Sequence, residues 1–381
     1  MNSRMIWCLL VALALPGLPV TQARAGEAEG VLAYQAGDFA RAMGELQPAA
    51  ANGSARAQTM VGFMYATGQG VPQDPVQGVN WLGLAAAQGL AEAQYDLGYL
   101  FDTGLGVPQN HAEAAKWYRL AAAQGRADAQ YNLGAILKEG GEGVPQDYTE
   151  AAKWFRLAAE QGDAYAQLDL GLLYVRGRGV AQDYAEAEKW FRLSAAQNYA
   201  AAQFNLGSMF FEGHGVGQDE AEAVRWFRLA AEQGYAPAQF NLGISLHTGR
   251  GVGPDDVQAA EWFKRAAVQG YAPAQSNLAI LYDHGQGVPQ DDGEAVRWYS
   301  LAANQGDVYA QYGLGAMFRN GYGVARDNIM AFMWTNLAAQ QGLSAAMKDL
   351  QTLTARMTPS DIEQARSLSS AWVQRFRATP R

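Results

Sequence analysis

The sequence predicts an all-α fold, an α/α superhelical solenoid of antiparallel helix pairs, and three observations carry that prediction. Eight tryptophans, Trp81, Trp117, Trp154, Trp190, Trp226, Trp262, Trp298 and Trp334, stand 36 residues apart, with a single interval of 37. The extra residue falls in "KEGGEGV", at a loop. Between them the same punctuation recurs: an apolar stripe, a glycine loop, an acid followed three residues later by Glu or Gln, and a closing glycine. Half of the chain is hydrophobic (49%), enough to bury a core, and a period of this size marks stacked helix pairs rather than one closed core.

Residues 1–25 read as a secretory signal. Arg4 precedes an apolar run over residues 5–20, and Ala23-Arg24-Ala25 supplies a small-residue cleavage site. Pro16 and Pro19 interrupt the run, which falls short of the roughly 20 residues a membrane-spanning helix needs. No membrane insertion is therefore expected after signal cleavage. Transport across the inner membrane is expected, to the periplasm first and the medium second. The one cysteine, Cys8, lies inside the signal, so the mature chain is expected to hold no thiol or disulfide.

Each repeat then reads as two helices. The first runs through "AQYDLGYLFDTG" (93–104) and its copies, where Leu97, Gly98 and Phe101 recur as Leu133, Gly134 and Leu137. Apolar residues four apart make one stripe, and small residues let a partner helix approach. A "GLGVPQ" loop follows. The second helix opens at a capping box: Asp147 to Glu150, Asp183 to Glu186, Asp219 to Glu222, Asp291 to Glu294, with Asn110, Asp74 and Asp255 heading variants. It closes at Gly89, Gly125, Gly162, Gly234, Gly270, Gly306 and Gly342, with Asn198 in the remaining copy, the residue that best tolerates a left-handed backbone after Gly.

The pattern "AQFNLGxxxxxGxGVxxDxAEAxxWFRLAAxQG" resembles the Sel-one-like repeat (SLR), a relative of the tetratricopeptide repeat, over eight units spanning residues 57–345. Residues 26–56, with Glu45 where Trp would fall, resemble a shorter tetratricopeptide-like unit and are expected to cap the N-terminus. Residues 346–381 are expected to be C-terminal capping helices, the last starting at Thr358 and Pro359 and covering the open end. The resemblance implies a right-handed superhelix used as a protein-interaction scaffold.

It also implies where binding sits. In tetratricopeptide-like scaffolds first helices line a concave surface, with side chains from three before and one after the helix glycine. Carried onto this chain, those positions give an apolar and aromatic track that includes Phe63, Tyr95, Tyr99, Tyr131, Leu172, Phe204, Phe240, Ile244, Ile280 and Tyr312. No Asn follows the glycine, so the carboxylate-clamp mode of some relatives is not carried over, and a protein or peptide presenting apolar side chains is the expected partner. Rim residues Asp102, Lys138, Glu139, Arg176, Glu212 and Arg319 differ between repeats and could write specificity.

Chemistry has little foothold. Removing Arg4 and Arg24 takes the net charge from −9 to −11, which argues against nucleic acid. No HExxH, GxSxG or GxxxxGK[ST] occurs, so no catalytic residue, no cofactor and no metal is expected, and the chain reads as a non-enzyme. His247 and Asp283 occupy equivalent positions in adjacent repeats, with His214 and His284 nearby, and convergence there on one ion is the weaker reading. The Trp, Tyr and Phe stripes read as core packing, because identical positions answer identical packing demands. Together these features point to a regulator or assembly factor for cell-envelope proteins. The alternatives are a secreted effector that binds a host protein, and an envelope hydrolase or cell-wall-fragment binder. The last is weakened because SLR relatives linked to penicillin-type ligands carry paired cysteines.

Overall fold

A computed structural model describes residues 22–378, with side chains from Gly26 onward. Most of the expected signal, Cys8 included, lies outside the described residues. The described residues form twenty α-helices and no strand. Two compact units divide the chain after Gln161. Unit 1 holds α1 (Gln22–Gln35), α2 (Phe39–Ala51), α3 (Ala55–Thr67), α4 (Pro75–Ala87), α5 (Ala91–Thr103), α6 (His111–Ala123), α7 (Ala127–Glu139) and α8 (Tyr148–Glu160). Unit 2 holds α9 (Ala164–Arg176), α10 (Tyr184–Ala196), α11 (Ala200–Glu212), α12 (Glu220–Glu232), α13 (Ala236–Thr248), α14 (Asp256–Val268), α15 (Ala272–His284), α16 (Asp292–Asn304), α17 (Val308–Asn320), α18 (Asn328–Gln340), α19 (Ser344–Thr354) and α20 (Pro359–Ala378). Within each unit successive helices pack on one another, first helix on second helix most closely. That is the solenoid packing the period implies.

In the second to sixth repeats the joint is a glycine on the first helix beneath an aromatic ring on the second; in the first and eighth the glycine faces Leu82 and Thr335. A Cβ at Gly98 would lie 2.6 Å from the Tyr118 ring, at Gly134 2.8 Å from Phe155, at Gly171 2.5 Å from Phe191 and at Gly243 2.7 Å from Phe263. These rings are fully buried. The deepest core position is therefore the residue after each tryptophan. The tryptophan itself sits at the edge: Trp81, Trp117, Trp154 and Trp226 keep partial exposure. Its indole Nε1 donates to the acid one turn earlier, from Trp154 to Glu150 (3.2 Å), Trp190 to Glu186 (3.1 Å) and Trp298 to Glu294 (2.9 Å).

That use of the acid corrects half of the expected capping box. The cap carboxylate does accept from the backbone three residues on, as Asp147 does from Glu150 N at 2.9 Å. The reciprocal half is absent in the repeats, because the cap's own N–H donates to the preceding helix: Asp147 N to Leu137 O, Asp219 N to Phe210 O, Asp291 N to Tyr282 O. A full reciprocal box forms at α20, where Asp361 N donates to Thr358 Oγ1 and Thr358 N to Asp361 Oδ2. Asn198 takes the left-handed conformation (φ 61°), the one non-glycine to do so among the described residues.

The seventh repeat departs from the glycine rule and compensates for it. Ala279 stands where Gly is expected, so the Tyr299 ring meets Gly313 of the next repeat instead, 2.6 Å from where a Cβ would be. Most repeats carry Asn or Asp at that second position. The two substitutions are one packing solution.

Repeats are also tied by a glutamine clasp. The Gln near the start of each first helix is buried, and its Nε2 donates to a carbonyl eight residues back, as from Gln94 to Ala86 and Gln239 to Ala231. Its Oε1 accepts from the Gln that ends the following second helix: Gln124 to Gln94 (2.8 Å) in unit 1, Gln269 to Gln239 (2.8 Å) and Gln305 to Gln275 (2.8 Å) in unit 2. A buried amide is stable only when its groups are paired, and here one amide joins its own repeat's second helix, through Oε1, to the preceding repeat's, through Nε2.

At the C-terminal end the pattern changes for a physical reason. In α18 the charged outer positions become Met330 and Met333, leaving a helix apolar on most sides. Helices α19 and α20 both pack on α18, rather than forming a further pair like the others. Trp372 packs edge-on to Trp334 (6.1 Å) and stacks on Phe376 (4.5 Å), and Ser369 Oγ donates to Met333 O. Leu337 is consequently 2% exposed, whereas its counterpart Leu301 is 43% exposed.

The glycine joint predicts opposite signs for one chemical change. Gly171→Ala drives a methyl into the Phe191 ring and should cost about 1–3 kcal/mol. Gly83→Ala, mid-helix with nothing within 4 Å of the new Cβ, should stabilise by about 0.5–1 kcal/mol. Thermal unfolding midpoints followed by circular dichroism check both.

Candidate functional site

The face of the first helices not covered by second helices is the candidate site, and the structure sorts the expected track into two classes. Phe63, Tyr99, Leu172, Ile244 and Ile280, each one residue after the glycine position, are half-buried and keep an edge in water. Tyr95, Tyr131, Phe204, Phe240 and Tyr312, three before it, are built into the repeat. The first four rings lie against the buried ring of the second helix: Tyr95 to Tyr118 at 5.6 Å, Tyr131 to Phe155 at 5.8 Å, Phe204 to Phe227 at 5.8 Å, Phe240 to Phe263 at 5.8 Å. Tyr95 is buried outright. Within unit 2 Phe204, Phe240, Ile244 and Ile280 pack on one core cluster and Tyr312 on another.

A second contact holds this inner row from the next repeat. The Arg126 guanidinium lies 4.5 Å over the Tyr95 ring and grips Asp128 through two hydrogen bonds of 2.8 and 3.0 Å. Tyr235 meets Phe204 edge-on at 5.5 Å, and Tyr271 meets Phe240 at 5.6 Å. Tyr312 donates its hydroxyl to Asp349 (3.0 Å), which Arg319 also engages.

Rim residues are spent on local pairs. Asp102 engages His111 Nδ1 (3.0 Å) and accepts from the Tyr118 hydroxyl (3.4 Å). His247 does not meet Asp283; its Nδ1 lies 2.6 Å from Asp256 in its own repeat. His214 pairs with Glu212 (2.8 Å) and stacks on Tyr184. Among the described residues no group of three or more His, Cys, Asp or Glu is arranged to hold a metal ion. None of the described helices is long and apolar enough to cross a membrane.

The Sel1 repeat family profile matches eight consecutive segments: 55–90, 91–125, 127–163, 164–199, 200–235, 236–271, 272–307 and 308–343. The chain belongs to the Sel1 repeat family. Its fold is similar to that of a Sel1 repeat protein from Oxalobacter formigenes, at 31% identity over 90% of this chain and 98% of the other, with a TM-score of 0.67. It is also similar to c5321, a protective antigen of uropathogenic Escherichia coli with an SLR fold, at 30% identity over 93% and 84%, with a TM-score of 0.58. Among curated proteins none matches. A Sel1-repeat scaffold is consistent with protein–protein interaction.

Sequence reasoning missed two sets of residues on this Sel1 face. One is the tyrosine that opens α11, α13 and α15, whose signal was its recurrence in three successive repeats where the others hold Ser, Leu, Arg or Asp. The other lies two before the glycine, where Asn132, Asn205, Asn241 and Asn277 alternate with Asp96 and Asp169. Asp96 is partly exposed yet surrounded by packed groups. Burial, with Glu92 and Asp128 adding to it and Arg126 opposing, pushes its carboxyl up to about 7.

A raised carboxyl holds a proton in the folded chain that the unfolded chain releases between about pH 4 and 7, so folded stability falls as pH rises through that window. Asp96→Asn, which copies the neighbouring repeats, should match the parent near pH 4 and exceed it at pH 8 by about 1–2 kcal/mol, a value discounted for the side chain's water contact. Unfolding midpoints of both proteins at the two pH values check it.

Proposed function

We propose that the chain is an exported Sel1-repeat scaffold that binds a protein or peptide along its open first-helix face, acting as a regulator or assembly factor for cell-envelope proteins and catalysing no reaction. One observation carries this reading. Residues that build each repeat, the glycine joint, the ring above it and the glutamine clasp, are nearly identical from repeat to repeat. Those facing outward on the first helices are not. Alongside Tyr99, the equivalent positions hold Phe63, Ala135, Leu172, Ser208, Ile244 and Ile280, all with partial water contact. A surface that varies on a constant frame is what selective recognition needs. The signal-like N-terminal sequence supports export.

A second reading, an exported effector that meets a host protein, is favoured by the E. coli relative described as a protective antigen. Cell fractionation with an antibody to the chain separates the two, since periplasmic retention supports the first and release into the medium the second.

The open face is tested without breaking the repeat. Tyr99→Ser, Ile244→Ser and Ile280→Ser remove apolar edges that do not fill the joint. Together they should leave the helical spectrum unchanged and lower recovery of an envelope partner by about ten-fold or more, as expected when hot-spot side chains are lost. Unchanged recovery by the folded triple variant refutes the placement.

A further inference from the structure

We propose that the N-terminal ends of the first helices in unit 2 form a docking row for a proline-rich segment of a partner protein, bound as a polyproline II helix with basic residues at its ends. This rests on the scaffold reading and gives it a ligand chemistry.

The row is built at a cost to the fold. Helices α11, α13 and α15 open with Tyr199, Tyr235 and Tyr271, and none of the three has a side-chain cap bond. The first helices on either side do have one, Asp163 accepting from Ala166 N and Asp307 from Ala310 N, each at 2.8 Å, while α5 and α7 open with Leu90 and Arg126 and also lack it. A side-chain cap is worth about 1 kcal/mol, so three consecutive helices forgo that gain. In its place each tyrosine extends an aromatic surface. Tyr199 lies 4.7 Å from Tyr165, while Tyr235 and Tyr271 lie against Phe204 and Phe240. All are half-buried, so one side of each ring packs and the remainder meets water.

The hydroxyls point to what is missing. Those of Tyr235 and Tyr271 make no hydrogen bond with any described residue, and their surroundings desolvate them. Two donors on one apolar row, a repeat apart, call for acceptors at the same spacing. A polyproline II helix has no internal hydrogen bonds, so its carbonyls are free to accept. Its three residues per turn at about 3.1 Å each advance about 9 Å per turn. The tyrosines recur one repeat apart along the row, and each turn of a polyproline II helix offers them a free carbonyl. An α-helical ligand has already used most of its carbonyls, and a strand has no sheet edge here to join.

Charge selects the same ligand. The opening turns of α9, α11, α13, α15 and α17, "AYAQL", "AAAQF", "APAQF", "APAQS" and "VYAQY", carry no charge, and Asp163 and Asp307 bound the neutral stretch. An uncharged middle with basic ends is the complement.

The test is calorimetric titration of the purified full chain with a synthetic peptide that has a repeated Pro-Pro-Leu core and an Arg pair at each end. A control peptide has Gly-Ser in place of the prolines, and a further arm uses peptidoglycan strand fragments. The proline peptide should bind saturably and the control at least ten-fold more weakly. The pair Tyr235→Phe and Tyr271→Phe keeps the rings and their packing, removes two donors, and should weaken the proline peptide by about ten-fold or more. The proposal is overturned if the control binds equally well, if the double variant binds unchanged, if no heat is seen, or if only the glycan fragments bind. If the proline peptide fails while the Tyr99, Ile244 and Ile280 changes still abolish partner recovery, the scaffold reading stands and only this row falls.

Discussion

The seating of one aromatic ring over one glycine is the contact on which the rest of most repeats depends. It sets how close the first and second helices come, because any Cβ at Gly98, Gly134, Gly171 or Gly243 would overlap the ring above it. Close approach then fixes where the tryptophan falls, one residue earlier on the helix and a third of a turn away, at the repeat edge. There its indole reaches back to the acid of the helix start. The capping acid is thereby drawn away from its expected partner, and the cap's N–H turns to the preceding helix. One steric fact thus rearranges three polar contacts. The seventh repeat supports the same logic, since adding a methyl at Ala279 is matched by removing a side chain at Gly313.

The glutamine clasp supplies what the ring joint cannot, namely coupling between repeats. Rings seat within a repeat and would allow neighbours to slide or tilt. The buried amide of each first helix is satisfied only when the preceding repeat's second helix places a carbonyl against its Nε2, as Ala86 O does for Gln94 and Ala231 O for Gln239. Mis-stacking leaves a desolvated amide N–H without an acceptor, a cost of about 1–3 kcal/mol for each junction. In a quasi-one-dimensional protein such nearest-neighbour terms are what make a row of small units unfold together.

Much of this was legible in the sequence, and the reason is repetition. A position that recurs eight times with the same residue reveals its periodicity, its helix ends and its loop; Asn198 in the place of a terminal glycine could be read as a left-handed residue before any coordinates. What a repeated string does not reveal is which neighbour lies across from a given side chain. The tryptophan recurs without exception while the residue after it varies among Phe, Tyr, Leu and Thr, yet only the second fills the joint. Phe204 and Phe240 qualify for a surface track by their spacing, but their rings are clamped between a core ring and the tyrosine of the next repeat. His247 and Asp283 share a register, yet register along two helices is not proximity of two side chains. The C-terminal end was legible in outline: "NIMAFMWTNL" drops the Lys and Glu of its counterparts, and the helix from Pro359 is expected to cover the open end, but the sequence does not show that α19 and α20 both pack on α18 or that Trp372 meets Trp334.

Function in such an architecture has to be sought where a repeat breaks its own rule at some expense. Asp96 replaces an Asn that several other repeats tolerate, and sits with its carboxyl near neutrality in pKa, so the substitution carries an electrostatic penalty with no visible structural return. Tyr199, Tyr235 and Tyr271 stand where Ser54, Asp163 and Asp307 cap their helices in other repeats, and the hydroxyls of Tyr235 and Tyr271 make no hydrogen bond with a described residue. A core substitution of this kind would be compensated nearby, as Ala279 is by Gly313. These are not compensated within the described residues. Uncompensated departures on a solvent-facing row are therefore better accounted for by something outside the chain than by the packing inside it, and this separates the residues that hold the scaffold from those that give it a ligand.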